Sequence, residues 1–237
     1  MVKKVIIFDL DETIGYFQQI SILDHYFKNT FEIQKEFALV EYLLNTFPQV
    51  FRPGIFKIFK NIKKQKKSNG NIVAVLYTNN NSTGLWVNHI VDYIHNKLQY
   101  KLFDHIIKAH KIGNKIVEPK RISNEKSLVD IMRCTKLSPK NLFCFIDDQY
   151  HHRMNNKNIY YLHTFPYIKT ITPNEVINKF KSNMILNHLL GKQISIFLRD
   201  LERFIHGNLE QRIVSNDREN IKITETLNKH IQYFLTK

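Results

Sequence analysis

Four short runs of unbroken apolar residues, at 5–8, 72–77, 143–146 and 159–162, constrain this chain more than any other feature. Each is strand-length, and the first three run straight into a polar cluster. Apolar continuity without alternation is what a strand covered on both faces of a parallel sheet requires. Helical patterns separate the runs: Ile55, Phe56, Ile58, Phe59 and Ile62 precede the second, and Leu128, Val129, Ile131 and Met132 precede the third. Strands alternating with helices predict an α/β fold built on a doubly wound parallel sheet. A weaker fifth strand is expected at 103–107. Residues 17–51 read as a small helical insertion ahead of Arg52-Pro53-Gly54, and residues 79–120 as core helix and strand.

From residue 173 the pattern is helical alone. Leu186, Leu189, Leu190, Ile194, Phe197, Leu201, Phe204 and Ile205 recur at spacings of three and four, and Ile223, Leu227, Ile231 and Phe234 repeat this after a polar stretch at 215–220. The expected organisation is a sheet domain over 1–172 and a helical extension over 173–237 packed on it as a pair of helices. A partner-binding helix is the alternative reading of that stripe.

Composition sets the class. A chain of 237 residues, 43% hydrophobic and 24% charged, with only seven Gly and six Pro, is neither disordered nor collagenous. No run approaches the roughly 18 apolar residues of a bilayer span, so no membrane partner is expected. Four apolar residues precede Asp9, fewer than the roughly 7–15 of a signal-peptide core, so the reading is an intracellular protein, cytoplasmic or nuclear, without a signal peptide. Cys134 and Cys144 sit in apolar company and read as buried, reduced thiols. The net charge of +14 is uneven, −3 over residues 1–50 and +7 over 51–100. Such a field favours anionic partners in general. The densest run, Lys57, Lys60, Lys63, Lys64, Lys66 and Lys67, reads as the solvated face and last turn of a helix. No aromatic residues alternate with these lysines, and no nucleic-acid-binding motif is present.

Chemistry gathers where the apolar runs end. Asp9-Leu10-Asp11-Glu12-Thr13 follows the first run, at the edge of an open α/β sheet where ligands bind. Two aspartates two apart can divide labour, one attacking a phosphoryl group and the other exchanging a proton with the leaving oxygen. Like charges so close call for a cation, and Mg²⁺ suits carboxylates plus phosphate. Taken alone, the same residues are also an acidic helix start. The second run ends in Thr78-Asn79-Asn80-Asn81, a hydroxyl and amides suited to phosphate oxygens. The third ends in Asp147-Asp148, a second acid pair. Lys126 opens the helix before it, where an ammonium can meet a phosphoryl group. Lys120 competes for that role, and Lys126 is preferred because a clean apolar helical pattern follows it. His151, His152 and Met154 follow the acid pair; the histidines are read as loop residues rather than ligands, since neighbours rarely share one ion and Mg²⁺ does not favour imidazole.

In this order, acid pair, Thr, Lys and acid pair, the stretch from residue 1 to about 166 resembles the haloacid dehalogenase (HAD) superfamily. It is most similar to the phosphatases of the RNA polymerase C-terminal domain and the NLI-interacting-factor-like group. The resemblance rests on Asp-Leu-Asp-Glu-Thr at 9–13, Arg52-Pro53-Gly54, Leu-Tyr-Thr at 76–78 and Ile-Asp-Asp at 146–148. It implies a HAD-like Rossmannoid sheet and a Mg²⁺-dependent phosphatase working through an aspartyl-phosphate. Asp9 would be nucleophile and metal ligand; Asp11 would be the general acid/base, lending its backbone carbonyl to the metal. Thr13 would steady the loop and the phosphate site, and Thr78, Asn79 and Lys126 would hold the phosphoryl group. Asp147 and Asp148 would complete the metal site, Asp148 standing where the polymerase-tail enzymes carry an Asn. With only a small insertion, the cleft is expected to be open and to admit a macromolecular phosphate: a phosphoprotein first, a polynucleotide second. A non-catalytic binding scaffold is the alternative from another class.

Overall fold

The computed structural model describes residues 2–31, 33, 35–82, 84–184, 191–209, 212 and 216–237. Leu186, Leu189, Leu190 and Ser215, part of the expected C-terminal pattern, lie outside the described residues. The chain separates into two compact units, one of residues 1–16, 51–167 and 215–237, the other of 17–50 and 168–214.

The first unit is built on a parallel sheet of β1 (Lys4–Phe8), β2 (Ile72–Tyr77), β3 (His105–Ile107), β6 (Leu142–Asp147) and β7 (Ile159–His163), in the order β3-β2-β1-β6-β7. This is a Rossmann-like α/β arrangement; four strands lie on the four apolar runs, and β3 falls within the weaker strand expected at 103–107. The sheet reverses its direction of growth between β1 and β6, the switch point where the strand ends leave a crevice. Register aligns the ends: Phe8 lies level with Leu76 on β2 and Ile146 on β6. Alternation then sends Val5, Ile7, Val75, Tyr77, Phe143 and Phe145 to one face, where Ile131 of helix α5 (Leu128–Thr135) covers them. On the other face Phe8 packs edge-on to Phe59 of α3 (Ile55–Ser68) and to Phe103.

Three expectations need correction in this unit. Residues 111–116 are not core; they form a small hairpin, β4 (Lys111–Ile112) against β5 (Lys115–Ile116), turned by Gly113 at φ +57°. The lysines of α3 are not all solvated. Lys63 donates to the Leu98 carbonyl at 2.6 Å, while Lys66 donates to the Leu102 carbonyl at 2.7 Å and pairs with Asp104 at 2.6 Å. Cys144 is buried, but Cys134 is only half-buried; both thiols are free.

The remaining helix between β2 and β3 is α4 (Trp86–Leu98). The last helix, α8 (Asp217–Thr236), belongs to the sheet unit rather than to a separate extension. Its buried line is Asn220, Thr224, Leu227, Ile231 and Leu235, so Thr224 and Leu235 replace the expected Ile223 and Phe234. The reason lies in what it meets. Gly54, at φ +84°, brings the start of α3 so near that a Cβ there would stand 3.2 Å from the Thr224 methyl. Asn61 donates to Asn228 at 3.1 Å, and the Lys4 ammonium caps the Leu235 carbonyl at 2.8 Å, where a cation suits the helix dipole.

The second unit is helical and larger than the small insertion expected at 17–51. It joins α1 (Gln18–Thr30) and α2 (Glu36–Thr46) to α6 (Pro173–Lys181) and α7 (Ile194–Asn208). Phe27 lies 5.1 Å from Phe180 and 6.1 Å from both Phe31 and Phe197, ring to ring. A capping box starts α6: Thr172 accepts from the Glu175 backbone, Glu175 reaches back to the Thr172 N–H, and Pro173 follows the cap. Two segments far apart in sequence thus share one aromatic interior, which no local pattern announces. Among the described residues no helix is long and apolar enough to cross a membrane.

Candidate active site

Asp9, one residue beyond β1, and Asp147, the last residue of β6, point to the same sheet face by strand alternation, on either side of the switch point. Lys126 arrives on that face from the turn before α5. Its ammonium bonds the Asp9 carboxylate and, at 2.7 Å, Asp147 Oδ2, and it stands 5.7 Å from the Tyr77 ring centre and 5.9 Å from that of Phe145. All three groups are buried. A charge withdrawn from water is tolerable only when paired, and this one sits between two opposite charges. Lys120 is exposed, so between the two candidates only Lys126 reaches the acids.

The turn holding Lys126 is itself anchored. Ser127 caps α5 by accepting the Asp130 N–H at 3.1 Å, and its own N–H donates to the Tyr77 hydroxyl at 3.1 Å. Tyr77 donates onward to Asp130 at 3.2 Å, and the buried Arg121 guanidinium lies over the Tyr77 ring at 4.7 Å.

The second acid pair divides its work. Asp147 takes Lys126, the Gln149 N–H at 2.8 Å and His151 Nε2 at 3.3 Å. Asp148 faces Thr13 instead: the threonine hydroxyl donates to Asp148 Oδ1 at 2.9 Å and accepts the Asp148 N–H at 3.0 Å. Thr13 is therefore committed to steadying the acid loop, and its hydroxyl is not turned to a phosphate. Asp11 lies apart, its carboxylate accepting from the Asn80 amide at 2.8 Å. Thr78 is fully buried and accepts the Asn80 N–H at 2.9 Å. Asn79 donates to the Asn124 carbonyl at 2.7 Å, and its carbonyl oxygen has no partner among the described residues. His151 packs behind Asp147, whereas His152 is exposed.

Arg52 holds the Asp9 loop from behind. It is 1% exposed, and its guanidinium donates to the carbonyls of Thr13 at 2.7 Å, Glu12 at 2.7 Å and Phe165 at 2.6 Å, and to Asn220 of α8 at 3.3 Å. Those bonds fix Glu12 at φ +59°, a left-handed conformation uncommon for a residue with a side chain. Sequence reading registers Arg52 only as part of a motif and gives no sign of Asn220, since a contact spanning 168 residues leaves no local trace.

The electrostatics follow from burial and pairing. Burial lifts Asp9 well above the ordinary carboxylate range, Lys126 opposing and Asp147 and Asp11 reinforcing. Burial also raises Asp11 against its bond from Asn80, and pushes Asp148 up to about 6. On Asp147 burial is outweighed by the bonds from His151 and Lys126, which hold it below the usual range. For Lys126 burial is likewise overcome by Asp9 and Asp147, so the ammonium persists.

Asp9, Asp147 and Asp148 each offer a carboxylate oxygen, all within 4.8 Å of one another, and this triad could hold a metal ion. Lys126 pairs with two of these three acids, which leaves Asp148 without a bonded cation among the described residues, and a hard oxygen-seeking cation fits that all-carboxylate donor set. The Asp11 carboxylate lies outside the triad, which leaves only its backbone carbonyl for the expected metal role. No family model, no curated protein and no solved structure matches the chain.

Proposed function

We propose that the chain is a phosphate-monoester hydrolase of the haloacid dehalogenase type, working through a phosphoryl-aspartate on Asp9. The observation that carries this reading is the Lys126 ammonium buried between Asp9 and Asp147, beside a triad of carboxylates at the switch point. A structural ion pair needs one acid; a reaction that moves a phosphoryl group needs a nucleophile, a fixed cation and a metal site together.

Asp9 attacks phosphorus in line, its carboxylate oxygen forming the new P–O bond as the bond to the leaving alcohol breaks. Asp11, oriented by Asn80, supplies the proton that the leaving oxygen takes up. It then accepts a proton from the water that attacks the phosphoryl-aspartate, releasing inorganic phosphate and restoring Asp9. Lys126 and the Thr78 hydroxyl hold equatorial oxygens, and Arg52 keeps the Asp9 loop in register. Mg²⁺, held by Asp9, Asp147 and Asp148, would neutralise charge gathering on the transferring group.

Hydrolysis of a generic aryl phosphate by the wild type and by Asp9→Asn, each with Mg²⁺ and with chelator, tests this. The expected result is Mg²⁺-dependent turnover that falls by about a thousandfold or more in the variant, as for loss of a covalent nucleophile. Equal rates in all four samples would overturn it.

A further inference from the structure

The two flanks of this site differ in a way that the hydrolysis reading does not use. Beyond the β7 end stands a row of rings. Tyr161 and His163 share one face of β7 by alternation, and Phe165 follows two residues past the end of the strand, while Thr164 between them is buried with its N–H on the Asp147 carbonyl at 2.9 Å. Tyr150 stacks on Tyr161, centroids 5.7 Å apart at 6°. Phe165 is 72% exposed and Tyr150 56% exposed, so both rings are open to a ligand.

This ledge is rigidly tied to the acids. His163 bonds the Asp148 carbonyl at 2.9 Å, Tyr161 donates to the Gln149 carbonyl at 2.8 Å, and the Phe165 carbonyl takes the Arg52 bond that also secures the Asp9 loop. Across the switch point, beyond β3, the hairpin carries Lys111 on one face and Lys115 on the other, and Lys120 follows it; all three are exposed. None of the three is in an ion pair among the described residues. In a parallel sheet both flanks belong to the same edge. Strands about 4.8 Å apart put β7 about 10 Å to one side of Asp9 and β3 about 10 Å to the other.

We infer that this edge takes the phosphorylated end of a single-stranded polynucleotide, its terminal phosphate on Asp9, its terminal base on the Tyr150–Phe165 ledge and its following phosphates along the hairpin lysines. The inference rests on the hydrolase reading for the phosphate and stands independently for the two flanks. Sequence-tolerant single-strand binding uses stacking rings together with nearby cations, and this edge has exposed rings on one flank and exposed lysines on the other. A phosphopeptide would draw on the site but has no planar group for every ring and no charge repeat for the lysines. The polynucleotide therefore moves ahead of the phosphoprotein expected from the family likeness.

The test is fluorescence anisotropy with the full chain and labelled oligonucleotides of about eight nucleotides. These carry a 3′-phosphate, a 5′-phosphate or free ends, and are set beside a phosphoserine peptide of equal charge and a nucleoside monophosphate. Chelator is present, so turnover plays no part. The expected order puts an end-phosphorylated oligonucleotide first, the 3′ and 5′ arms showing which end enters. Phe165→Ala should weaken it by about fivefold or more, while leaving phosphoserine-peptide binding unchanged. Lys111→Gln with Lys115→Gln should flatten the salt dependence by about 0.7 per lysine. Tighter binding of the peptide, indifference to Phe165→Ala, or a nucleoside monophosphate binding as well as the oligonucleotide would each overturn the inference. Loss of hydrolysis with oligonucleotide binding intact would instead sink the enzymatic reading and leave the binding edge standing.

Discussion

The sheet unit and the helical unit bury different things. In the sheet unit the interior takes in Asp9, Arg52, Arg121, Lys126, Asp130, Asp147 and His151, most of them gathered at one edge. In the helical unit the buried polar side chains among the described residues are Gln19, Asp24 and Thr170, and the rest is aromatic and aliphatic. Gln19 accepts the Ile171 N–H at 2.5 Å, and Asp24 pairs with Lys28 at 2.9 Å within its own helix. The first ties α1 to the segment that leads into α6, and the second stays within α1. Burying ions costs several kcal/mol each before pairing, a cost the helical unit meets at Asp24 and the sheet unit meets many times over. The concentration of charge in the sheet unit therefore marks the edge where the candidate site lies.

The sharpest way to break this comparison is to remove one centre from each unit. Lys126→Met leaves two buried carboxylates facing each other, and Phe27→Ala empties the aromatic interior. Each should lower the unfolding free energy by about 3–5 kcal/mol in urea titrations. Only Lys126→Met should also abolish phosphatase turnover at temperatures where the variants stay folded. If Phe27→Ala removes turnover as completely, charge burial is not what separates the units.

A smaller effect is expected from the long-range support of the Asp9 loop. Asn220→Ala leaves one Arg52 N–H without its buried acceptor, a loss of about 1–2 kcal/mol, read by the same titration. Turnover should fall with it if α8 helps hold Glu12 and Thr13 in place. Unchanged stability would mean that Arg52 is satisfied by its three carbonyls alone. The smallest changes compare like with like. Ser127→Ala on α5 and Thr172→Ala on α6 each remove a helix cap worth about 1 kcal/mol. The first should also slow turnover, because it loosens the turn that carries Lys126, whereas the second should cost stability alone.

Much of this architecture is legible without the structure. Apolar runs that never alternate had to be covered on both sides, and four of the five strands lie where those runs are. Residues adjacent to strand ends had to emerge at one edge, which is why Asp9 and Asp147 meet at Lys126 and Thr78 ends at the same edge. The choice of Lys126 over Lys120 also follows from a local signal, the apolar helix that begins at Leu128. Other features are illegible for a physical reason. A helix stripe records which residues are apolar but not what they face, so the α8 interface runs through Asn220 and Thr224, polar residues accepted because Arg52 and Gly54 stand opposite them. The hairpin at 111–116 buries almost nothing, and so leaves no hydrophobic period to read.

The sequence by itself determined the sheet, its strand ends and the residue types assembled there, because these depend on periodicities of two and 3.6 residues and on immediate neighbours. Only the tertiary structure decided which residues share a unit, how 17–50 finds 168–214, and that an arginine at 52 is met by an asparagine at 220. Those outcomes depend on close packing and on the need of buried charges for partners, and both are settled between segments that are distant in sequence until the chain has folded.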